Sequence, residues 1–93
     1  MLKIKNGELF DELFLNEKGE LTEGARSNII LEIGNQWFTP KLESGLLNGI
    51  YRQKLLREKK CIEKTLYISD VEKANNIYCI NSVRGITKVT LIT

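Results

Sequence analysis

Residues 27–40 carry the pattern that decides the fold: Ser27-Asn28-Ile29-Ile30-Leu31-Glu32-Ile33-Gly34-Asn35-Gln36-Trp37-Phe38-Thr39-Pro40. Isoleucine recurs through the first half, a Gly-Asn pair interrupts the run, and aromatic residues resume before the only proline of the chain. The pattern predicts two strands, Ser27 to Ile33 and Gln36 to Thr39, paired as a hairpin. Type I′ turns prefer Asn-Gly to Gly-Asn, so the type of the turn stays open.

Further strands are predicted on both sides of this hairpin. The apolar run in residues 8–16 closes near Leu15 and meets turn chemistry at residues 17–20, which predicts a strand followed by a tight turn. The remaining predicted strands cover residues 61–68, 76–80 and 86–92.

Two helices are predicted between these strands. From Asn48 the apolar residues recur every three to five positions, and charged residues, Arg52 among them, take the other positions. This spacing predicts an amphipathic helix with Asn48 as its N-cap, packed across the sheet. The run Ser69-Asp70-Val71-Glu72 matches a capping box and predicts a short helix through Ala74. These segments predict one α+β domain, residues 1–93, with a small mixed sheet of about five strands and two helices.

The composition limits the classes of function. The 93 residues are 42% apolar and 28% charged, and their net charge of +2 is spread along the chain, which gives no case for binding nucleic acid or a membrane. Histidine is absent, so Ser-His pairs, Cys-His pairs and His-ligated metal sites are excluded. No run approaches the ~18 apolar residues of a membrane span, and the N-terminal residues lack the apolar core of a signal peptide. We therefore expect a cytoplasmic protein without a metal.

The two cysteines also indicate a cytoplasmic protein. Cys61 and Cys79 each lie in an apolar run, and they form no Cys-x-x-Cys motif. Reduced core thiols are therefore favoured over a disulfide.

Three segments carry residues that can hold a ligand. Residues 47–52 place Gly49 at the start of the predicted helix, where backbone N–H groups and the helix dipole suit a phosphate. The second segment, Thr22-Glu23-Gly24, has a carboxylate between a predicted turn and a predicted strand. The third follows the end of a predicted strand and contains a hydroxyl and a guanidinium: Asn81-Ser82-Val83-Arg84-Gly85. Taken singly, each segment has a plainer interpretation: a glycine that lets the chain turn, a solvated acid, and an ordinary loop.

In order along the chain, the motifs resemble those of one enzyme family. Besides the three segments, the set contains Asp11-Glu12-Leu13-Phe14-Leu15-Asn16, Gly19, Ser27-Asn28-Ile29, Thr39-Pro40 and Ala74. This set, from about residue 9 to 92, resembles the fold-type IV pyridoxal-phosphate enzymes, the class IV aminotransferase superfamily. Asn48-Gly49-Ile50-Tyr51-Arg52-Gln53 and the Asn81 to Gly85 segment look most like aminodeoxychorismate lyase, whereas the aminotransferases tend to have Pro-Gly and Gly-Thr at these places.

The resemblance implies a site for pyridoxal 5′-phosphate. It implies that Glu23 faces the pyridine nitrogen of the cofactor and keeps it protonated, so that the ring serves as an electron sink. It places Gly49, Ile50 and Tyr51 at the cofactor phosphate, and it gives Ser82 a further hydrogen bond to that phosphate.

Asn28 and Arg84 complete the implied site. Asn28 counts among the cofactor-binding residues and is expected to fix the local backbone, while Arg84 is expected to face either the substrate carboxylate or solvent. No residue is assigned a catalytic role, because the Schiff-base lysine of the family lies some thirty-odd residues before the glutamate. Lys3 and Lys5 stand only 20 and 18 residues before Glu23.

We therefore expect the C-terminal domain of such an enzyme without its N-terminal domain, either as a truncated product or as a piece of a longer protein such as a fused para-aminobenzoate synthase. As a fragment of aminodeoxychorismate lyase, which releases pyruvate to give 4-aminobenzoate for folate, it would be inactive alone. The alternatives are a fragment of a branched-chain or D-amino-acid aminotransferase, or a non-catalytic interaction module. A homo-oligomer is also expected, because five apolar residues lose their cover in such a fragment: Leu9, Phe10, Phe14, Trp37 and Phe38.

Overall fold

One eight-stranded sheet organises the chain in the computed structural model, which describes residues 2–7 and 9–92. The strands are β1 Leu2–Asn6, β2 Leu9–Leu15, β3 Leu21–Gly24, β4 Asn28–Ile33, β5 Gln36–Pro40, β6 Ile62–Lys64, β7 Asn76–Asn81 and β8 Gly85–Leu91. The helices are α1 Ile50–Arg57 and α2 Ile68–Lys73, and a 3-10 turn lies at Leu42–Ser44. Within the same residues, no helix is long and apolar enough to cross a membrane.

The sheet curls until its two edges approach each other. Its strand order is β3-β2-β1-β8-β7-β4-β5-β6, and all neighbours are antiparallel except β5 and β6, which run parallel. At the closure, the Leu21 N–H donates to the Leu66 carbonyl at 2.7 Å, and Glu20 forms an isolated bridge with Tyr67. The curled sheet therefore encloses one of its faces.

Two apolar clusters pack on the two faces of the sheet. On the outer face, α1 packs Leu55 against Ile30 and Ile80. The enclosed face holds the larger cluster, whose fully buried members are Ile4, Leu13, Leu21, Ile29, Leu31 and Leu66. Successive side chains of a strand point to opposite faces, so β4 is buried on both, and its apolar residues run without alternation for that reason.

The hairpin predicted from residues 27–40 is confirmed as β4 and β5, with Ile33 opposite Gln36. Of the two turn residues, Gly34 has a positive φ of 65° and Asn35 does not. A single positive φ at a glycine in the first central position is the mark of a type II′ turn. The structure thus settles the turn type that the sequence leaves open.

The mixed sheet with few helices is confirmed, but the predicted number of about five strands is wrong. The structure adds β1, in which Lys3 and Lys5 flank the buried Ile4, and β3, which has only four residues. β3 is too short to give a periodic signal, and Leu2-Lys3-Ile4-Lys5 alternates over only four residues, the shortest run that indicates a strand. The strand predicted over residues 61–68 is reduced to β6, whose three residues are all exposed, and its predicted last residue, Ile68, is the first residue of α2.

The start of α1 differs from its prediction by one residue. The helix begins at Ile50 with Gly49 as its N-cap, whereas the predicted cap is Asn48. Arg52, predicted on the polar face of the helix, is only 1% exposed. The Asn48 side chain is used by Arg52 instead of the helix backbone, since Arg52 Nη1 donates to Asn48 Oδ1 at 2.9 Å.

The start of α2 is also displaced. The predicted capping box begins at Ser69, but the cap is Tyr67, whose N–H donates to Asp70 Oδ2 at 2.8 Å. Asp70 is the third residue of the helix and reaches back to the cap backbone, as the acid of a capping box does. The acid of the box is therefore Asp70, not the predicted Glu72.

Candidate functional site

An open cleft of about 270 Å³ lies where three chain segments meet. The segments are the connection from β3 to β4, the residues that lead into α1, and the loop between β7 and β8. Six of the residues predicted from the sequence line this one cleft: Glu23, Asn28, Gly49, Ile50, Tyr51 and Ser82.

The first turn of α1 presents free backbone donors to the cleft. Gln53 is the first residue whose N–H bonds back into the helix, to the Gly49 carbonyl at 3.0 Å. The N–H groups of Ile50, Tyr51 and Arg52 precede it and have no acceptor within the helix. Together with the positive end of the helix dipole, these donors suit an anion such as a phosphate.

Asn28 holds the chain that leads into α1. It is buried at the start of β4, its Nδ2 donates to the Leu47 carbonyl at 2.8 Å, and its Oδ1 accepts from the Gly49 N–H at 3.3 Å. A Cβ on residue 49 would lie 2.5 Å from that Oδ1. Gly49 is therefore required by the close approach of Asn28, since its φ of −61° is open to any residue.

Glu23, which lies on β3, forms another wall of the cleft. The side chain is half-buried, and its Oε1 accepts from the Leu47 N–H at 2.9 Å. Within the described part of the chain, Oε2 accepts no hydrogen bond. One oxygen thus anchors the carboxylate to the same loop that Asn28 holds, and the other is available to a ligand.

The loop between β7 and β8 completes the cleft. Asn81 Oδ1 accepts from the Val83 N–H at 3.0 Å and from the Arg84 N–H at 2.7 Å, which closes a tight turn. Gly85 follows with a positive φ of 72° and lies against the Tyr51 ring. The turn thereby carries Ser82, an exposed residue, to the cleft beside the start of α1.

Arg84 lies outside this cleft. It lines a neighbouring cavity of about 120 Å³ together with Asp11, and that cavity shares Arg26, Ser27 and Asn81 with the cleft. Ser27 Oγ donates to Asp11 Oδ2 at 3.2 Å. The site predicted from the sequence does not include Arg26, Ser27 and Asn81. Ser27 and Asn81 directly precede the predicted residues Asn28 and Ser82 in the motifs, and this position is the signal that could have found them.

The cysteine thiols are not arranged as nucleophiles. Cys61 and Cys79 are both free and buried, as predicted, and burial raises the pKa of each thiol. The Arg52 charge lowers the pKa of Cys61 to a smaller extent. A thiol with a raised pKa is inert at neutral pH, so the chemistry of the site does not rest on sulfur.

Comparison with known proteins identifies the family. Residues 1–92 match the family described as amino-transferase class IV. The chain belongs to this family. The class IV aminotransferase chain is 30% identical to aminodeoxychorismate lyase of Bacillus subtilis over 95 aligned residues. The alignment covers 97% of this chain and 32% of the relative.

Solved structures of the same fold agree with this assignment. A Mesorhizobium loti protein assigned as an amino-acid aminotransferase superposes with a TM-score of 0.81 and 34% identity, covering 84% of this class IV chain and 38% of the other. A Brucella abortus aminotransferase, solved with the cofactor PLP, superposes with a TM-score of 0.72 and 32% identity, covering 84% and 30%. The chain spans between 31% and 39% of the length of the curated relatives it matches.

Proposed function

We propose that this chain forms the cofactor-phosphate-binding part of a pyridoxal-phosphate-dependent enzyme, and that the enzyme is an aminodeoxychorismate lyase. Such an enzyme releases pyruvate and leaves 4-aminobenzoate for folate synthesis. One observation carries the proposal: the cleft gathers Glu23, Ser82 and the free amides of Ile50 and Tyr51, which come from three separate segments of the chain.

The cleft fits the phosphate end of the cofactor. A phosphate at the first turn of α1 would accept from the Ile50 and Tyr51 N–H groups and from the Ser82 hydroxyl. The absence of a side chain at Gly49 lets Asn28 approach and hold the chain that enters this turn. The cleft, with a volume of about 270 Å³, is open on one side, so a ligand held there would be enclosed by walls supplied from outside this chain.

Pyridoxal 5′-phosphate, when bound, supplies an electron sink for the carbanion of an amino-acid substrate. Glu23 would hold a proton on the pyridine nitrogen, because an adjacent carboxylate favours the charged pyridinium. Its hydrogen bond from the Leu47 N–H fixes the carboxylate in one orientation. Arg84, in the neighbouring cavity, would pair with the substrate carboxylate.

Pyridoxal-phosphate chemistry also needs a lysine that forms a Schiff base with the cofactor. Among the described residues that line the cleft there is no lysine, and Lys3 lines a different cavity. We infer that the lysine belongs to a further domain of the working enzyme, so that the chain alone binds a phosphate and has no turnover. The cytoplasmic location stays a prediction.

The apolar residues proposed to contact a partner are only partly exposed. Phe10 is 59% exposed, but Phe14, Trp37 and Phe38 are half-buried, and the Leu9 side chain lies outside the described residues. The most exposed apolar side chains lie at the cleft or next to it: Leu47 and Ile50 line it and are 77% exposed, and Val83, which follows the cleft residue Ser82, is 94% exposed. We propose that a homo-oligomer uses this rim.

Two alternatives stay in view. For a branched-chain or D-amino-acid aminotransferase, the Mesorhizobium loti and Brucella abortus likenesses support the general class of aminotransferase. A non-catalytic interaction module is supported by the lack of a lysine among the described residues that line the cleft. The lyase is supported by the Bacillus subtilis relative and by the Asn-Gly-Ile-Tyr-Arg and Asn-Ser-Val-Arg-Gly motifs.

A chimera tests the three functions. Residues 1–92 replace the corresponding segment of the Bacillus subtilis lyase, so that the host supplies the remaining two thirds of the enzyme. Pyruvate release from aminodeoxychorismate is the expected result, and Glu23→Gln should lower it by about a hundredfold or more. Transamination of branched-chain or D-amino acids without pyruvate release would favour the aminotransferases. A folded chimera with neither activity would favour the interaction module.

A further inference from the structure

Arg52 is the largest fully buried side chain among the described residues, with 1% exposure. Its Nη1 donates to Asn48 Oδ1 at 2.9 Å, and its Nη2 donates to the Pro40 carbonyl at 2.9 Å. Nη2 also pairs with the Glu63 carboxylate. A single guanidinium therefore joins the loop before α1 to the end of β5 and to β6.

These partners lie behind the cleft. Arg52, Pro40 and Glu63 are absent from the described residues that line it, so the guanidinium has no direct path to a ligand there. Asn48, however, directly precedes the N-cap Gly49, and Arg52 is itself the third residue of the helix. The side chain thus holds the first turn of α1 from behind, while Asn28 holds the same turn from β4.

The chemistry of this arrangement is specific. A buried cation is costly unless it is paired and hydrogen-bonded, and apolar residues of similar size often stabilise a core equally well. Arg52 is paired, but its Nε has no partner within the described residues. The planar fork of arginine reaches three acceptors at fixed angles, which a lysine or methionine cannot do. Beyond filling buried space, the guanidinium fixes the geometry of the first turn of α1.

We propose that Arg52 is a positioning residue for the anion site, an inference that rests on the proposed function of the cleft. Through Asn48 and Pro40 it fixes where the chain enters α1. It thereby keeps the Ile50 and Tyr51 N–H groups at the separation that receives one phosphate.

The test is a titration of the ¹⁵N-labelled chain with inorganic phosphate, followed through the amide signals of residues 49–53. Arg52→Met removes the whole clamp. Asn48→Ala removes only the bond from Arg52 Nη1, at an exposed residue, and leaves the apolar clusters unchanged. Val89→Ala is the matched control, because it removes buried volume from the enclosed face, remote from α1.

In the wild type, saturable shifts are expected at Ile50 and Tyr51. The phosphate Kd should rise about tenfold in Arg52→Met and severalfold in Asn48→Ala, since a small misplacement of binding groups is enough for such a loss. Val89→Ala should keep the wild-type Kd at a temperature where it is folded, although its melting temperature falls. If Arg52→Met does not fold, Asn48→Ala carries the test.

Two failures are distinguishable. If the wild type binds phosphate and both variants bind it equally well, the positioning role is overturned and the proposed function stands. If the wild type binds no phosphate, the proposed function is overturned. Hydrogen exchange of the Gln53 N–H, whose bond to Gly49 closes the first turn, then decides the positioning role. Exchange as slow in the variants as in the wild type would overturn it.

Discussion

Asn28 and Gly49 approach so closely that a Cβ on residue 49 would lie 2.5 Å from the Asn28 Oδ1 atom. The same oxygen accepts a hydrogen bond from the Gly49 N–H at 3.3 Å, so a hydrogen bond holds the two residues together. A methyl group at residue 49 would force Asn28 away and release the Leu47 carbonyl that it also holds. The shape of the cleft therefore depends on the missing side chain at residue 49.

Gly49→Ala should destabilise the chain by about 1–3 kcal/mol, the usual cost of overpacking, and should weaken phosphate binding. Urea unfolding and phosphate titration measure the two effects. Asn28→Ala is the matched partner, because it removes the atom with which the methyl group collides. The loss in the double variant should be smaller than the sum of the two single losses. Strict additivity would show that the two residues do not interact.

The isolated chain should form no specific covalent adduct with pyridoxal 5′-phosphate. The described residues lining the cleft include no lysine, so borohydride should trap only scattered, substoichiometric products. Mass spectrometry after trypsin digestion locates any adduct, and a parallel assay follows pyruvate release from aminodeoxychorismate. One stoichiometric adduct on a single lysine, accompanied by turnover, would contradict the prediction.

The chain should associate with a second copy through the rim of the cleft. Leu47, Ile50 and Val83 are largely exposed there, and apolar surface of this kind gains about 25 cal/mol for each Å² buried. Sedimentation equilibrium at micromolar concentration should show a mass above 10.7 kDa that rises with concentration, and Val83→Ser should lower it. Ile62→Ser on β6 is the control, since it removes an exposed apolar group away from the cleft. A monomer at all concentrations would refute the dimer.

The unfolding free energy should fall as the pH rises above about 8.5, the ordinary thiol pKa. Burial raises the pKa of Cys61 and of Cys79 in the folded chain. In that pH range the unfolded chain loses these thiol protons while the folded chain keeps them, so alkali favours unfolding. Urea midpoints measured between about pH 7 and 10 check this. The fall should be less steep in Cys61→Ala and in Cys79→Ala, each compared with its own value at pH 7.

The sequence predicts best those parts of the fold that local chemistry determines. The hairpin of β4 and β5 follows from its isoleucines and its Gly-Asn turn, and β7 and β8 fall within a residue of their predicted bounds. β3 is too short to show a period and β1 alternates over only four residues, and both are strands because they pair with neighbours in the curled sheet. Such pairing is not visible in a local window.

The site shows the same division. The motifs indicate the residues of the cleft, and the first turn of α1 follows from glycine and helix chemistry. The sequence pattern predicts Arg52 on the polar face of its helix, because a charged residue is rarely buried. Its burial depends on Pro40 and Glu63, which come from β5 and β6, so the tertiary structure is needed to see it. The Arg84 prediction stays open, since that residue lines the adjoining cavity.

We expect the hydrogen bond between Leu21 and Leu66 to limit aggregation through the edges of the sheet. An open sheet leaves two rows of unpaired N–H and C=O groups, and such rows recruit strands from other molecules. Here the β3 edge donates to the chain that follows β6 at 2.7 Å, and the β6 strand is only three residues long with Glu63 and Lys64 exposed. Within the described residues, neither border offers a long template for a foreign strand. Copies of this chain should therefore meet through side chains and separate reversibly on dilution, without growing into fibrils.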